Sequence, residues 1–147
     1  MTVRVGVIGV GLIGEDHVRR LTTVVDGASV TAVTDVDSGR AETVAKQYGV
    51  PSVHVSGEDV IADPAVDAVV VASWGPTHEQ YVLAGIAAGK PVFCEKPLAT
   101  TREACERVLA AETTAGRRLV QVGFMRRYDE AYLALRSAVR DGSIGAR

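Results

Sequence analysis

Six residues near the start of the chain, Gly9-Val10-Gly11-Leu12-Ile13-Gly14, carry the spacing G-x-G-x-x-G. Between a strand and a helix, such a run holds a pyrophosphate. Gly9 permits the tight turn, Gly11 removes a Cβ from the path of the phosphate, and Gly14 lets the helix pack close to the sheet. The free N–H groups of the helix N-terminus, around Leu12 and Ile13, and its positive dipole end then face the negative charge. Asp35 comes 21 residues after Gly14, close to the roughly 20 expected of the acid that binds ribose hydroxyls. A carboxylate there repels a 2′-phosphate, so the pattern favours NAD over NADP. Val36 and Asp37 continue the same turn. Arg40 is the nearby cation that could meet a phosphate, and its spacing reads as a solvated helix residue instead.

Three further segments follow apolar runs and carry groups able to do chemistry. In Ser73-Trp74-Gly75-Pro76-Thr77-His78, the sole tryptophan can cover a nicotinamide or plug the fold, and Ser73 and His78 border the same crevice. His78 opens a helix and reads as structural more readily than catalytic. Cys94-Glu95-Lys96-Pro97 places a charged pair directly after an apolar strand. A lysine there can hydrogen-bond a substrate hydroxyl and stabilise the alkoxide-like oxygen from which hydride leaves. The plain alternative is a surface ion pair. The isomer of the Lys96–Pro97 bond is left open by the sequence. In Gly123-Phe124-Met125-Arg126-Arg127-Tyr128-Asp129, Met125, Arg126 and Arg127 can floor a nicotinamide site and reach substrate, or form a charged loop that contacts another domain. His17 and His54 show no partner spacing, and no metal-ligand cluster is expected.

The elements that must position these residues alternate along the chain. Apolar, β-branched runs predict strands at Val3–Ile8, Val30–Val36, Val53–Val55, Ala68–Ser73, Pro91–Cys94 and Leu119–Gly123. Helical periodicity predicts Ile13–Val25, with Ile13, Val18 and Leu21 inward, and Ser38–Tyr48, with Ala41, Val44, Ala45 and Tyr48 on one face. A short helix is predicted at Glu58–Ala62. Capping boxes at Thr77-His78-Glu79-Gln80 and Thr100-Thr101-Arg102-Glu103 open two more. The second of these has Ala104, Cys105, Val108 and Leu109 inward. Asp129 caps a last helix striped by Tyr132, Leu135 and Val139. Strands apolar on both faces imply a parallel sheet covered on both sides. With right-handed crossovers the result is a doubly wound α/β (Rossmann) sheet in the order 3-2-1-4-5-6.

Composition excludes other classes. The 147 residues carry a net charge of −2, are 47% hydrophobic and 5% aromatic. A nucleic-acid footprint would be basic, a single-strand binder would need aromatic platforms, and a disordered chain would be poorer in aliphatics. The longest apolar run, Ala68 to Ala72, is far short of the roughly 20 residues of a membrane span. The N-terminus enters a strand at once, so no signal peptide is expected. Two cysteines, 11 residues apart, read as reduced and mostly buried, and the compartment as cytoplasmic. The expected division is residues 1–123 as the NAD-binding domain and 124–147 as a loop and helix leading onward.

Together these segments resemble the glucose–fructose oxidoreductase/inositol dehydrogenase/rhizopine catabolism family. The likeness rests on Val7 to Gly14, Thr34-Asp35-Val36-Asp37, Ser73 to His78, Glu95-Lys96-Pro97-Leu98-Ala99-Thr100-Thr101 and Gln121 to Asp129. Glu-Lys-Pro is the family hallmark, and the last segment points to inositol-type members. The resemblance implies NAD-dependent oxidation of a secondary alcohol on a cyclic polyol. By it, Lys96 is the catalytic, substrate-contacting lysine, Met125 and Arg126 line the substrate site, Asp35 holds the adenosine ribose, and Glu95 lies at the nicotinamide end. It also implies a second α/β open-sheet domain, absent from this chain, that supplies the proton acceptor and the homo-oligomer contacts. Other readings are a sibling activity on another polyol or an aldose, a split-enzyme subunit, or a non-catalytic dinucleotide-binding module.

Overall fold

A computed structural model describes residues 2–145. Strand β1 (Val3–Ile8) leads to helix α1 (Leu12–Thr23), β2 (Ala28–Thr34), α2 (Ser38–Tyr48), β3 (Ser52–Val53) and α3 (Gly57–Ala62). The second half runs β4 (Ala68–Val71), α4 (His78–Ala87), β5 (Val92–Cys94), α5 (Arg102–Thr114), β6 (Val120–Val122) and α6 (Glu130–Arg140). All paired strands are parallel, in the order β3-β2-β1-β4-β5-β6. This is the expected doubly wound sheet, with its order reversing between β1 and β4.

Each face of the sheet has its own core. Val18 of α1 and Ala41, Val44 and Ala45 of α2 pack with Val5, Val7, Val30 and Val33 on one side. Val60 and Ile61 of α3, Val82 and Ile86 of α4 and Val108 of α5 pack with Ile8, Val69, Val71, Val92 and Cys94 on the other. Alternate residues of β1 and β4 thus serve opposite cores, which is why these strands are apolar without a break.

Several local expectations shift. Strands β2 and β4 end at Thr34 and Val71, so Asp35 and Ser73 lie in the loops beyond them rather than on the strands. Ile13 and Leu109 are exposed, at 52% and 64%. The buried stripes follow helical spacing through Gly14 and Val18 in α1 and through Ala104 and Val108 in α5, and both exposed residues fall off them. Thr77 does not form the expected capping box. It ends a 3-10 turn over Gly75–Thr77, and its hydroxyl donates to the Trp74 carbonyl at 2.7 Å. Gln80 reaches Glu58 instead. For α5 the cap is Thr101, one residue later than expected, accepting from the Ala104 N–H at 3.2 Å. Cys94 is buried and Cys105 half-buried, both as free thiols. Asp129 caps α6 as expected, but Tyr132 and Leu135 on that helix are exposed, and α6 packs mainly against the 3-10 turn at Met125–Arg127.

Arg4 on β1 forks onto Asp67 before β4, with contacts of 2.6 and 3.0 Å. These bonds, and one from the Arg4 backbone N–H, hold the Asp67 carboxyl down at about 2 from 3.8. A depressed carboxyl contributes stability above its unfolded value, and that contribution disappears as pH falls through the folded one. Thermal melts should therefore show Asp67→Asn less stable than the parent at neutral pH, with the gap closing between about pH 4 and pH 2. A gap constant across that window would remove Asp67 from the acid limb.

Candidate cofactor and catalytic site

The glycine loop joins β1 to α1 across the reversal in strand order. Gly9 has φ +86°, and a Cβ there would stand 2.6 Å from the Ser73 backbone. A Cβ on Gly14 would stand 1.8 Å from the Gly9 carbonyl oxygen. At Gly11 the corresponding Cβ position meets no protein atom within 4 Å, so the backbone there is open to a ligand. Helix α1 has no side-chain cap, and the N–H groups of its first turn face that opening. These features fit a dinucleotide pyrophosphate.

Asp35 is tied to the same loop. Its Oδ2 accepts from the Val10 N–H at 2.7 Å and its Oδ1 from the Asp37 N–H at 3.0 Å. Each carboxylate oxygen has a second lone-pair site, leaving one on each for a ribose hydroxyl. Arg40 is not simply solvated, which corrects the sequence reading. Its Nε donates to the Val10 carbonyl at 2.6 Å, and its guanidinium lies 3.5 Å from Glu15. Val10 is thus held at both its N–H and its carbonyl, and the Arg40 guanidinium is shared with a carboxylate.

A cleft of about 530 Å³ runs along this edge, lined by Gly9, Gly11, Asp35, Val36, Ser73 and Trp74. Leu12, at 83% exposed, and Ile13 stand on the first turn of α1 beside it. Trp74 is 77% exposed, so it is a surface wall and not a core plug. The Ser73 hydroxyl pairs with that of Thr77 at 2.8 Å. Val55, Ser56, Gly57 and Tyr81 also line the cleft, and none of them stands out as a site residue in the sequence. Ser56 caps α3 by accepting from the Asp59 N–H, and a serine three residues before an acid was the available signal. Gly57 makes room for the Tyr81 ring, which would lie 2.4 Å from its Cβ.

His78 differs from the expected cofactor contact. It is 2% exposed, with Nδ1 2.7 Å from the Pro97 carbonyl and Nε2 2.9 Å from the Ser73 carbonyl. It bridges the loops after β4 and β5 from beneath. The Lys96–Pro97 bond above it is cis. Lys96 is exposed, and among the described residues its ammonium makes no hydrogen bond or ion pair. Glu95, by contrast, is clamped: Oε1 lies 2.9 Å from His17 Nε2, and Oε2 accepts from the Lys96 N–H at 3.2 Å. Burial and the adjacent Glu95 carboxylate push the Cys94 thiol up to about 12, which makes it inert as a nucleophile. His54 also has a partner, Asp63 at 2.9 Å. Met125 is exposed at the edge after β6. Arg126 is engaged within its own segment, 3.2 Å from Asp129 and with its guanidinium 4.9 Å above the Tyr132 ring. Glu95, Lys96, Met125 and Arg126 all lie outside the cleft walls, at the carboxyl ends of β5 and β6. No group of metal-ligating side chains occurs among the described residues, and no helix there is long and apolar enough to cross a membrane.

A parallel doubly wound sheet with an open glycine loop and an acid after β2 defines a dinucleotide-binding oxidoreductase domain. Residues 3–124 match the family described as "Oxidoreductase family, NAD-binding Rossmann fold". The chain belongs to that family, the glucose–fructose oxidoreductase/inositol dehydrogenase/rhizopine catabolism group. It is 61% identical over 144 residues to an inositol 2-dehydrogenase of Acidothermus cellulolyticus, covering 98% of this chain and 42% of that protein. It is 57% identical over 147 residues to one of Klebsiella pneumoniae, covering 99% and 44%. The crystal structure of myo-inositol dehydrogenase from Lactobacillus casei in complex with NAD(H) and myo-inositol is similar at a TM-score of 0.92 and 44% identity, covering 99% of this chain and 43% of that one. The scyllo-inositol dehydrogenase of the same organism, with NAD(H) and scyllo-inositol bound, has the same TM-score at 31% identity, again covering 99% and 43%. The chain therefore spans less than half the length of these relatives.

Proposed function

We propose that this chain is the cofactor-binding part of an NAD-dependent inositol 2-dehydrogenase that oxidises a ring hydroxyl of myo-inositol to a ketone. The observation that carries the reading is the sharing of one sheet edge by two sets of groups. The open glycine loop with Asp35 lies on one side of the strand-order reversal, and Lys96, whose ammonium has no partner among the described residues, on the other. The 61% and 57% identity to two inositol 2-dehydrogenases supports an inositol as the substrate.

Residues 1–123 form the cofactor domain in this reading, and 124–147 lead toward a substrate and oligomerisation domain. Bound NAD supplies the hydride acceptor. Gly11 and the first turn of α1 seat the pyrophosphate, and Asp35 accepts from both adenosine ribose hydroxyls. Lys96 donates to the reacting oxygen and stabilises the negative charge that builds there as its proton leaves. His78 has both ring nitrogens engaged, so the proton acceptor comes from the portion of the relatives that this chain does not span. Met125 and Arg126 lie on the substrate side. Two free thiols suit a cytoplasmic setting.

Asp35→Ser tests the cofactor assignment. Loss of charge-assisted hydrogen bonds should raise the Kd for NAD by about 10- to 100-fold in calorimetry. NADP, freed of the repulsion, should change far less, so the ratio of the two constants moves toward NADP. An unmoved ratio would show that Asp35 is not the ribose ligand.

A further inference from the structure

His17 has no role in the chemistry above, yet its surroundings are built. It lies on α1, the helix whose first turn seats the pyrophosphate, about one turn further along. Its ring stands edge-on to Phe93 of β5, with centroids 5.3 Å apart and planes at 66°. Its Nε2 meets Glu95 Oε1 at 2.9 Å, across 78 residues of sequence. Phe93 and Glu95 are two positions apart, so they leave β5 on the same face, the one α1 covers. The Glu95 backbone N–H continues the sheet ladder by donating to the Val71 carbonyl at 2.8 Å. Its carboxylate is closed in from the other side by Gly123. A Cβ on Gly123 would stand 2.8 Å from the Phe93 ring and 3.3 Å from Glu95 Oε1. The His17 and Glu95 side chains are only 23% and 19% exposed.

We infer that His17 is a positioning residue, fastening the phosphate-binding helix to the Glu95-Lys96-Pro97 turn so that the two halves of a bound dinucleotide meet walls at one spacing. The inference rests on the cofactor reading above. A dinucleotide straddles the reversal between β1 and β4. With Asp35 marking the adenosine half, the nicotinamide half extends over β4 and β5, toward Glu95. Helix α1 and the turn after β5 are far apart in sequence, and the imidazole–carboxylate bond is the direct polar tie between them. Without it, α1 still seats the phosphates, but the turn is free to relax away from the nicotinamide ribose.

The test compares NAD with ADP, which shares the adenosine and pyrophosphate but lacks the nicotinamide half, on the 147-residue chain by calorimetry. In His17→Leu, ADP affinity should stay within about twofold of the parent while NAD affinity falls about tenfold. Glu95→Gln should lower the NAD-to-ADP ratio from the other end of the same bridge. The double variant should be no worse than the poorer single one, since both remove one interaction. His17→Gln, which keeps a donor, should recover most of the ratio, and it serves if the leucine variant folds poorly. Parallel losses of NAD and ADP would mean a merely structural histidine and overturn the inference. An unchanged ratio, additive single losses or no recovery with glutamine would also overturn it. Failure of the unaltered chain to bind ADP would instead overturn the cofactor reading itself.

Discussion

Lys96→Ala is expected to lower turnover of myo-inositol by about 10²- to 10³-fold, the usual cost of removing one donor aimed at a developing oxyanion. The measurement needs a complete enzyme. A chimera of this chain with the remainder of the Acidothermus cellulolyticus relative, 61% identical over the shared region, provides one. Lys96 is exposed and bears no hydrogen bond or ion pair from its ammonium among the described residues. Its removal should therefore cost the fold little and shift NAD affinity by no more than about twofold. Loss of kcat with Kd for NAD preserved is the signature of a group acting on substrate. Turnover within about tenfold of the parent would leave Lys96 as a surface charge near the site, well short of the effect of a lost oxyanion donor.

Gly14→Ala should damage fold and binding together, whereas Gly11→Ala should separate them. The added methyl at Gly14 falls 1.8 Å from the Gly9 carbonyl oxygen, a clash with backbone that only a shift of α1 relieves. Such overpacking costs about 1–3 kcal/mol, or roughly 2–12 °C in Tm for a chain of this size. As α1 recedes, its N-terminus leaves the phosphates, and NAD affinity should fall by about tenfold or more. At Gly11 the Cβ position is free of protein within 4 Å and φ is −61°, so Gly11→Ala should melt within about 2 °C of the parent. Its methyl should nonetheless obstruct the pyrophosphate. Equal melting temperatures for the two variants would undo the packing argument for Gly14. Equal NAD affinity in Gly11→Ala and the parent would undo the binding argument for Gly11.

The side chains whose surroundings the sequence does not reveal share a cause. His17 shows no partner spacing and Arg40 reads as solvated because their partners, Glu95 and the Val10 carbonyl, are 78 and 30 residues away. His78 falls beside the cofactor crevice in sequence because it opens a helix at the carboxyl edge of the sheet. Which way its ring turned depended on two carbonyls, of Ser73 and Pro97, that only the packed loops bring to it. Arg126 follows β6 as expected, and its contacts with Asp129 and the Tyr132 ring arise only once α6 folds back on the preceding turn. The Thr77 cap was displaced by a 3-10 turn that Gly75-Pro76-Thr77 forms before the helix begins.

The class of fold, the strand order and the cofactor fingerprint are legible in the residues alone. These follow from short-range facts: apolar runs that need burial on both faces, glycines at fixed offsets, and an acid one β-α-β step beyond them. Three features appear only in the folded chain: the bracing of the phosphate helix against the Glu-Lys-Pro turn, the Val55, Ser56, Gly57 and Tyr81 lining of the cleft, and a Lys96 ammonium without a partner among the described residues. Those outcomes depend on contacts across the sheet between residues distant in the chain. Side-chain period and motif spacing carry no information about such contacts until the strands have paired and the helices have settled on their two faces.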